Sequence, residues 1–137
     1  MSHLEQLEAR IRGGEARVGA LGLGYVGLPL SVEFGRAGLS VTGYDLLADK
    51  VAALNRGESY VKDVPSEHVR ELVQAGRFRA STDFASLGEQ DALVICVPTP
   101  LGKTRDPDLS MVVDASREIA RRLRPGQLVV LESTTYP

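Results

Sequence analysis

Hydrophobic positions along the chain form two alternating patterns, short continuous apolar runs and longer stretches with apolar residues at helical spacing. The short segments predict five strands, at residues 17–21, 39–45, 77–80, 92–97 and 127–131. Of these, residues 17–21 and 92–97 are apolar enough to be predicted as buried strands. The helical spacing predicts helices over residues 3–12, 25–37, 46–55, 66–75 and 108–123, with one more helical turn over 83–87. This strand–helix alternation predicts an α/β fold with a doubly wound parallel sheet and helices on both faces.

Candidate binding residues follow from the predicted sheet, because ligands of such sheets bind at the carboxyl ends of the strands. In this chain those ends lead into residues 22–27, Asp45, residues 98–100 and residues 132–135. We therefore expect one binding site formed by these four segments.

The composition excludes several classes of protein but does not identify the function. The chain has 137 residues with 16 basic and 18 acidic side chains, so it lacks the basic excess of a nucleic-acid-binding protein. The longest apolar run, residues 92–97, is far shorter than the roughly 20 residues needed to cross a membrane. The N-terminus does not resemble a signal peptide, which favours the cytoplasm. One cysteine, Cys96, excludes an intrachain disulfide and a cysteine-rich zinc site, and His3 and His68 show no metal-ligand spacing.

A glycine-rich segment carries the clearest chemical signal. Gly22, Gly24 and Gly27 fit the pattern G-x-G-x-x-G, directly after a predicted strand and at the start of a predicted helix. Asp45 ends the next predicted strand, 23 residues after Gly22. In this context the pattern is typical of a Rossmann-like dinucleotide site. The alternative is that the glycines serve only a tight strand–helix turn.

Each residue of this segment has an expected role. Gly22 permits the tight turn, Gly24 leaves room for a pyrophosphate, and Gly27 lets the helix pack closely on the strand. Tyr25 and Val26 are expected to contribute backbone N–H groups at the helix N-terminus. Asp45 would accept hydrogen bonds from the ribose hydroxyls and repel a 2′-phosphate, which favours NAD over NADP. Asp45 could also serve as the N-cap of the next helix, and the two roles can coexist.

Four segments together resemble the UDP-glucose/GDP-mannose dehydrogenase family. They are residues 22–30, 43–45, 96–100 and 132–137, and the resemblance extends from about Arg17 to the last residue. Residues 57–60, 101–110 and 132–137 most resemble the UDP-N-acetylglucosamine 6-dehydrogenase branch. The resemblance implies two NAD-dependent oxidations that convert the C6 alcohol of a UDP-sugar to a uronate. It further implies a catalytic cysteine, with its helper residues, located well beyond the N-terminal NAD domain.

Cys96 is not expected to be that nucleophile, because it lies in a buried strand where its thiolate is disfavoured. We therefore expect residues 1–14 to form an N-terminal helix and residues 15–137 to form a Rossmann-like domain truncated after about five strands. By this interpretation the chain is the N-terminal part of a longer, homo-oligomeric enzyme, and in isolation it binds NAD without catalysing. The alternatives are a stand-alone dinucleotide-binding module and another Rossmann dehydrogenase, such as a 3-hydroxyacid type.

The resemblance also transfers residues by position. It places Pro98 and Thr99 along the cofactor, and it implies that Ser133 and Thr134, in the turn after the fifth strand, also bind the cofactor. Thr134 is the one catalytic residue that it implies, since in the family a threonine here helps to hold the active-site water. The alternative for Ser133 and Thr134 is turn chemistry, in which their hydroxyls bond nearby backbone.

Overall fold

The computed structural model describes residues 1–133. The strands are β1 (Arg17–Leu21), β2 (Ser40–Tyr44), β3 (Phe78–Ser81), β4 (Ala92–Ile95) and β5 (Leu128–Leu131). The helices are α1 (His3–Arg12), α2 (Gly27–Arg36), α3 (Ala48–Asn55), α4 (Ser66–Gln74) and α5 (Ser110–Ala120), with a 3₁₀ helix at Ala85–Glu89. The predicted alternation of strands and helices is confirmed.

The five strands form one parallel sheet in the order β3-β2-β1-β4-β5. The chain runs outward from β1 to β3, returns to the centre at β4 and then continues in the other direction. Leu21 pairs with Tyr44 on one side and with Ile95 on the other, and Ile95 pairs with Leu131. Four strands therefore end at the same level, on both sides of the point where the strand order reverses.

Apolar side chains cover both faces of the sheet. On one face, α2, α3 and α4 pack over Val18, Val41 and Phe78. On the other face, α5 and the 3₁₀ helix pack over Leu21 and Leu93. Cover on both faces explains why β4, near the centre of the sheet, is an apolar run rather than an alternating sequence. The edge strand β5 is not buried as expected, because Leu128, Val129 and Leu131 remain 43–46% exposed.

Several helices begin later than the sequence pattern predicts, because aspartates form turns just before them. Asp45, Asp83 and Asp108 each accept the backbone N–H of the residue two positions later, at 2.9–3.0 Å. This local bond holds the aspartate in a non-helical turn. Asp45 is consequently not the N-cap of α3, whose N-cap is Leu47.

The outer edge of β3 is closed by a side chain. The amide of Asn55, the last residue of α3, donates to the carbonyl of Ala80 and accepts its N–H, both at 2.9 Å. Asn55 thus pairs with this edge as a neighbouring strand would.

Helix α1 contributes little to the core, as none of its residues is buried. Ser2 and Glu5 form a reciprocal capping box at its N-terminus. The helix is joined to the sheet by Arg10, whose guanidinium lies 3.1 Å from the Asp91 carboxylate. Asp91 also accepts the backbone N–H of Arg17 at 2.8 Å, so α1 is held to the amino-terminal edge of the strands.

Candidate functional site

The turn after β1 requires glycine at its first position. Gly22 has φ +97°, and its N–H donates to the carbonyl of Tyr44 at 2.8 Å. A Cβ placed there would lie 2.8 Å from the carbonyl carbon and oxygen of Cys96. Gly22 is therefore fixed both by its backbone conformation and by the close approach of the chain after β4.

The other two glycines of the turn have opposite surroundings. A Cβ on Gly27 would overlap the carbonyl oxygen of Gly22, which shows how closely the start of α2 approaches the end of β1. A Cβ on Gly24 would meet no atom within 4 Å. Packing does not account for glycine at position 24, whereas a ligand in close contact with the backbone would.

Unbonded donors collect at the same turn. The backbone N–H groups of Gly24, Tyr25 and Val26 have no acceptor within residues 1–133, and no side chain caps α2. The side chains of Tyr25 and Val26 are 86% and 51% exposed, so these two residues offer mainly their backbone to the turn. Free N–H groups and the positive end of a helix dipole together favour a bound phosphate.

Asp45 lies beside this group of donors. One of its carboxylate oxygens accepts the N–H of Leu23 at 3.0 Å, and the other accepts the N–H of Leu47 at 3.0 Å. Asp45 therefore links the glycine-rich turn to the start of α3. Each oxygen keeps acceptor capacity for a further donor, as binding of two ribose hydroxyls would need.

Sequence reasoning missed Tyr60, which lies in the segment between α3 and α4. Its hydroxyl donates to the carbonyl of Leu23 at 2.6 Å, and the Lys50 ammonium lies 5.1 Å from the centre of its ring. Burial, together with the nearby Asp45 charge, raises the pKa of the Tyr60 hydroxyl well above its ordinary value. Residues 57–60 contributed only to the branch resemblance above, and no local pattern predicts the contact of Tyr60 with the turn, because that contact spans 37 residues of sequence.

Cys96 lies behind the turn rather than in an accessible site. It follows β4, is 7% exposed and lies against Gly22 and Gly27. Burial, with a smaller contribution from the Glu132 charge, raises the pKa of the Cys96 thiol to about 11. A thiol that stays protonated and covered does not act as a nucleophile at neutral pH.

The ends of β4 and β5 bring the remaining predicted residues to this edge. Thr99 is partly exposed, and its hydroxyl has no partner in the described part of the chain; Pro98 is exposed. The Ser133 hydroxyl donates to the carbonyl of Val97 at 2.8 Å and lies 3.3 Å from that of Ile95, so it bonds to the neighbouring chain at the end of β4 rather than within its own turn. Thr134, the predicted catalytic residue, lies outside the described residues.

Other parts of the molecule offer weaker candidates. Two surface cavities lie at the opposite edge of the sheet, where Arg17 lines both, and neither contains a predicted site residue. Residues 1–133 contain no group of three or more His, Cys, Asp or Glu side chains placed to hold a metal ion. In the same range no helix has the length and apolar character needed to cross a bilayer.

Comparison with known proteins assigns the family. Residues 16–137 match the UDP-glucose/GDP-mannose dehydrogenase family, NAD binding domain. The chain belongs to this family. The family's cofactor at this domain is NAD, and the open space at Gly24 and the free N–H groups of the turn fit a dinucleotide.

Three relatives illustrate the match of this NAD-binding domain. UDP-N-acetyl-D-glucosamine 6-dehydrogenase from Pseudomonas aeruginosa is 36% identical over 123 residues, covering 90% of this chain and 28% of the relative. UDP-N-acetyl-D-mannosamine dehydrogenase from Escherichia coli K12 is 39% identical over 121 residues, covering 88% of this chain and 28% of the relative. The crystal structure of NDP-N-acetyl-D-galactosaminuronic acid dehydrogenase from Methanosarcina mazei superposes with a TM-score of 0.83 at 37% identity, covering 100% of this chain and 31% of that one. The chain thus spans about three tenths of the length of the relatives that it matches.

Proposed function

We propose that the glycine-rich turn and Asp45 hold NAD, with the pyrophosphate on the N–H groups of Gly24, Tyr25 and Val26. The observation that carries this proposal is the set of three unbonded N–H groups next to a carboxylate that keeps acceptor capacity. Asp45 accepts the hydroxyls of the adenosine ribose and disfavours a 2′-phosphate by charge repulsion. NAD is therefore preferred over NADP.

The segments after β4 and β5 complete the proposed site. Pro98 and Thr99 lie along the cofactor, and the free Thr99 hydroxyl donates to it. Ser133 holds the segments after β4 and β5 together through its bond to Val97. Thr134 holds the water of the later hydrolysis. When bound, NAD supplies an acceptor for the electrons removed from the sugar alcohol.

The reaction that this domain serves is the oxidation of the C6 alcohol of a UDP-sugar to a uronate in two NAD-dependent steps. Similarity to the P. aeruginosa and E. coli relatives supports a UDP-linked N-acetylhexosamine as the substrate class. The second oxidation needs a thiolate nucleophile, and the buried, protonated Cys96 does not provide one. The chain of 137 residues accordingly binds NAD but does not turn over substrate.

Calorimetric titration tests the cofactor assignment. The purified chain is titrated with NAD and with NADP under identical conditions, and tighter binding of NAD is expected. Absence of NAD binding, or a preference for NADP, would contradict the proposal.

A chimera tests the reaction. The chain replaces the matching segment of the P. aeruginosa relative, and NADH formation from UDP-N-acetylglucosamine is measured for the chimera and for the chain alone. We expect turnover by the chimera and none by the chain. A folded chimera that binds NAD but oxidises no UDP-sugar would favour a binding module without catalysis.

A further inference from the structure

Tyr60 reaches the glycine-rich turn from a distant loop, and its hydroxyl lies 2.6 Å from the carbonyl oxygen of Leu23. We propose that Tyr60 is a positioning residue that orients the backbone of the turn for the NAD pyrophosphate. It would act through the Leu23–Gly24 peptide and would not touch the cofactor. The proposal rests on the pyrophosphate lying at this turn, as proposed above.

The geometry of the peptide bond connects the hydroxyl to the phosphate site. Within residues 1–133 every peptide bond is trans, and in a trans peptide the carbonyl and the following N–H point in opposite directions. Fixing the carbonyl of Leu23 therefore fixes the direction of the Gly24 N–H. That N–H is the first of the three unbonded donors at the turn.

Leu23 is held at each of its other groups as well. Its N–H donates to Asp45 at 3.0 Å, and its side chain is fully buried against Gly43, where an added Cβ would lie 2.6 Å from the leucine. The remaining freedom is rotation of the peptide between Leu23 and Gly24, and the bond from Tyr60 restricts that rotation. When the N–H donors are already ordered before the ligand binds, binding does not incur the entropy cost of ordering them.

Tyr60 is itself held in place and kept protonated. The side chain keeps only 38% of its surface exposed, and Lys50 lies over the face of the ring. Burial and the Asp45 charge disfavour the phenolate, so the hydroxyl remains a donor across the physiological pH range.

The test is a panel of ligands that differ in whether they carry a pyrophosphate. NAD, ADP-ribose and adenosine are titrated into the ¹⁵N-labelled chain, wild type and Tyr60→Phe, and followed by amide NMR signals, which also report weak binding. We expect Tyr60→Phe to weaken NAD and ADP-ribose by roughly five- to tenfold, the effect of one lost hydrogen bond. Adenosine, which has no pyrophosphate, should bind both proteins equally.

Tyr44→Phe is the matched control. The Tyr44 hydroxyl is bonded to Ser86 at 2.6 Å and to Gln90 at 3.0 Å on the opposite face of the sheet. Its loss should lower the melting temperature and leave the ratio of NAD to adenosine affinity unchanged.

The remaining outcomes are decisive. Equal NAD affinity in wild type and Tyr60→Phe would overturn the proposal, and so would a loss that is the same for adenosine as for NAD. Failure of Tyr60→Phe to fold would also overturn it, because the hydroxyl would then serve the fold itself. A wild-type chain that binds no NAD would instead refute the proposed function.

Discussion

The carboxylate of Asp45 accepts the backbone N–H of Leu23 at 3.0 Å, which ties the acid after β2 to the turn after β1. The two strands are neighbours in the sheet, and their ends lie at the same level. Asp45 therefore has a structural partner in the turn besides its proposed ribose partner. Loss of this side chain should affect both the fold and the ligand.

Replacing Asp45 by alanine should weaken NAD binding by about 1–3 kcal/mol, because charge-assisted hydrogen bonds to the ribose are lost. It should also lower the free energy of unfolding by about 1 kcal/mol, since the N–H groups of Leu23 and Leu47 lose their acceptor. Calorimetry and urea unfolding measure the two effects. Asp49→Ala, an exposed acid in the first turn of α3, is the control and should change neither. Unchanged NAD affinity in Asp45→Ala would remove Asp45 from the site.

Alanine at Gly24 and at Gly22 should have opposite effects. Gly24→Ala places a Cβ in open space, so the melting temperature should stay close to that of the wild type while NAD binding weakens by about 1–3 kcal/mol through steric conflict. Gly22→Ala places a Cβ 2.8 Å from the Cys96 carbonyl at φ +97°, and should lower the free energy of unfolding by about 2–4 kcal/mol. Normal NAD affinity in Gly24→Ala would mean that the pyrophosphate lies elsewhere.

Substitutions of Thr99 and Ser133 should have different effects, one on NAD binding and the other on the stability of the fold. The Ser133 hydroxyl is used within the protein, so Ser133→Ala should lower the free energy of unfolding by about 1 kcal/mol. Thr99→Val should leave stability within about 0.5 kcal/mol and weaken NAD binding about fivefold, because the Thr99 hydroxyl is free for a ligand. Thermal unfolding and NAD titration of both variants decide this. The reverse pattern would exchange the roles of the two residues.

The Cys96 thiol should make stability depend on alkaline pH. Its pKa is about 11 in the folded chain against an ordinary value of 9.0, so the unfolded chain loses this proton first as the pH rises. Stability from this group is complete below pH 9 and is lost progressively between pH 9 and pH 11. The free energy of unfolding is measured against pH for the wild type and for Cys96→Ala. The difference between the two curves isolates the contribution of Cys96 from the titration of lysines and tyrosines. A difference that does not change across this range would contradict the burial argument.

Much of the fold follows from local patterns in the sequence. The short strand patterns mark all five strands, and β4 is apolar throughout because helices cover both faces of the sheet there. The edge strand β5 is an exception to burial, since Leu128, Val129 and Leu131 are 43–46% exposed. The glycine-rich turn was also predictable, since the spacing of Gly22, Gly24 and Gly27 and their position between a strand and a helix are typical of such a turn. Family resemblance identified the NAD domain from the same residues, and the comparisons confirm it.

What the sequence did not reveal depends on contacts between distant segments. The interaction of Tyr60 with Leu23 arises only when the loop before α4 folds over the turn. Ser66 also depends on a contact with another segment, although a serine before an apolar stretch is a typical N-cap. In the structure it is instead the first residue of α4, and its hydroxyl accepts the N–H of Ser59 at 2.9 Å. The stripe of Leu4, Leu7 and Ile11 does form a helix, but the fold buries none of these residues.

The side-chain pairing between Asn55 and Ala80 has a consequence for the behaviour of the chain in solution. A bare edge strand is a template on which a strand of another molecule can add, which leads to aggregation. Here the outward-facing N–H and carbonyl of Ala80 are already engaged by a residue of the same chain. The amide of a single asparagine thereby blocks the Ala80 position of this edge as a template for an added strand.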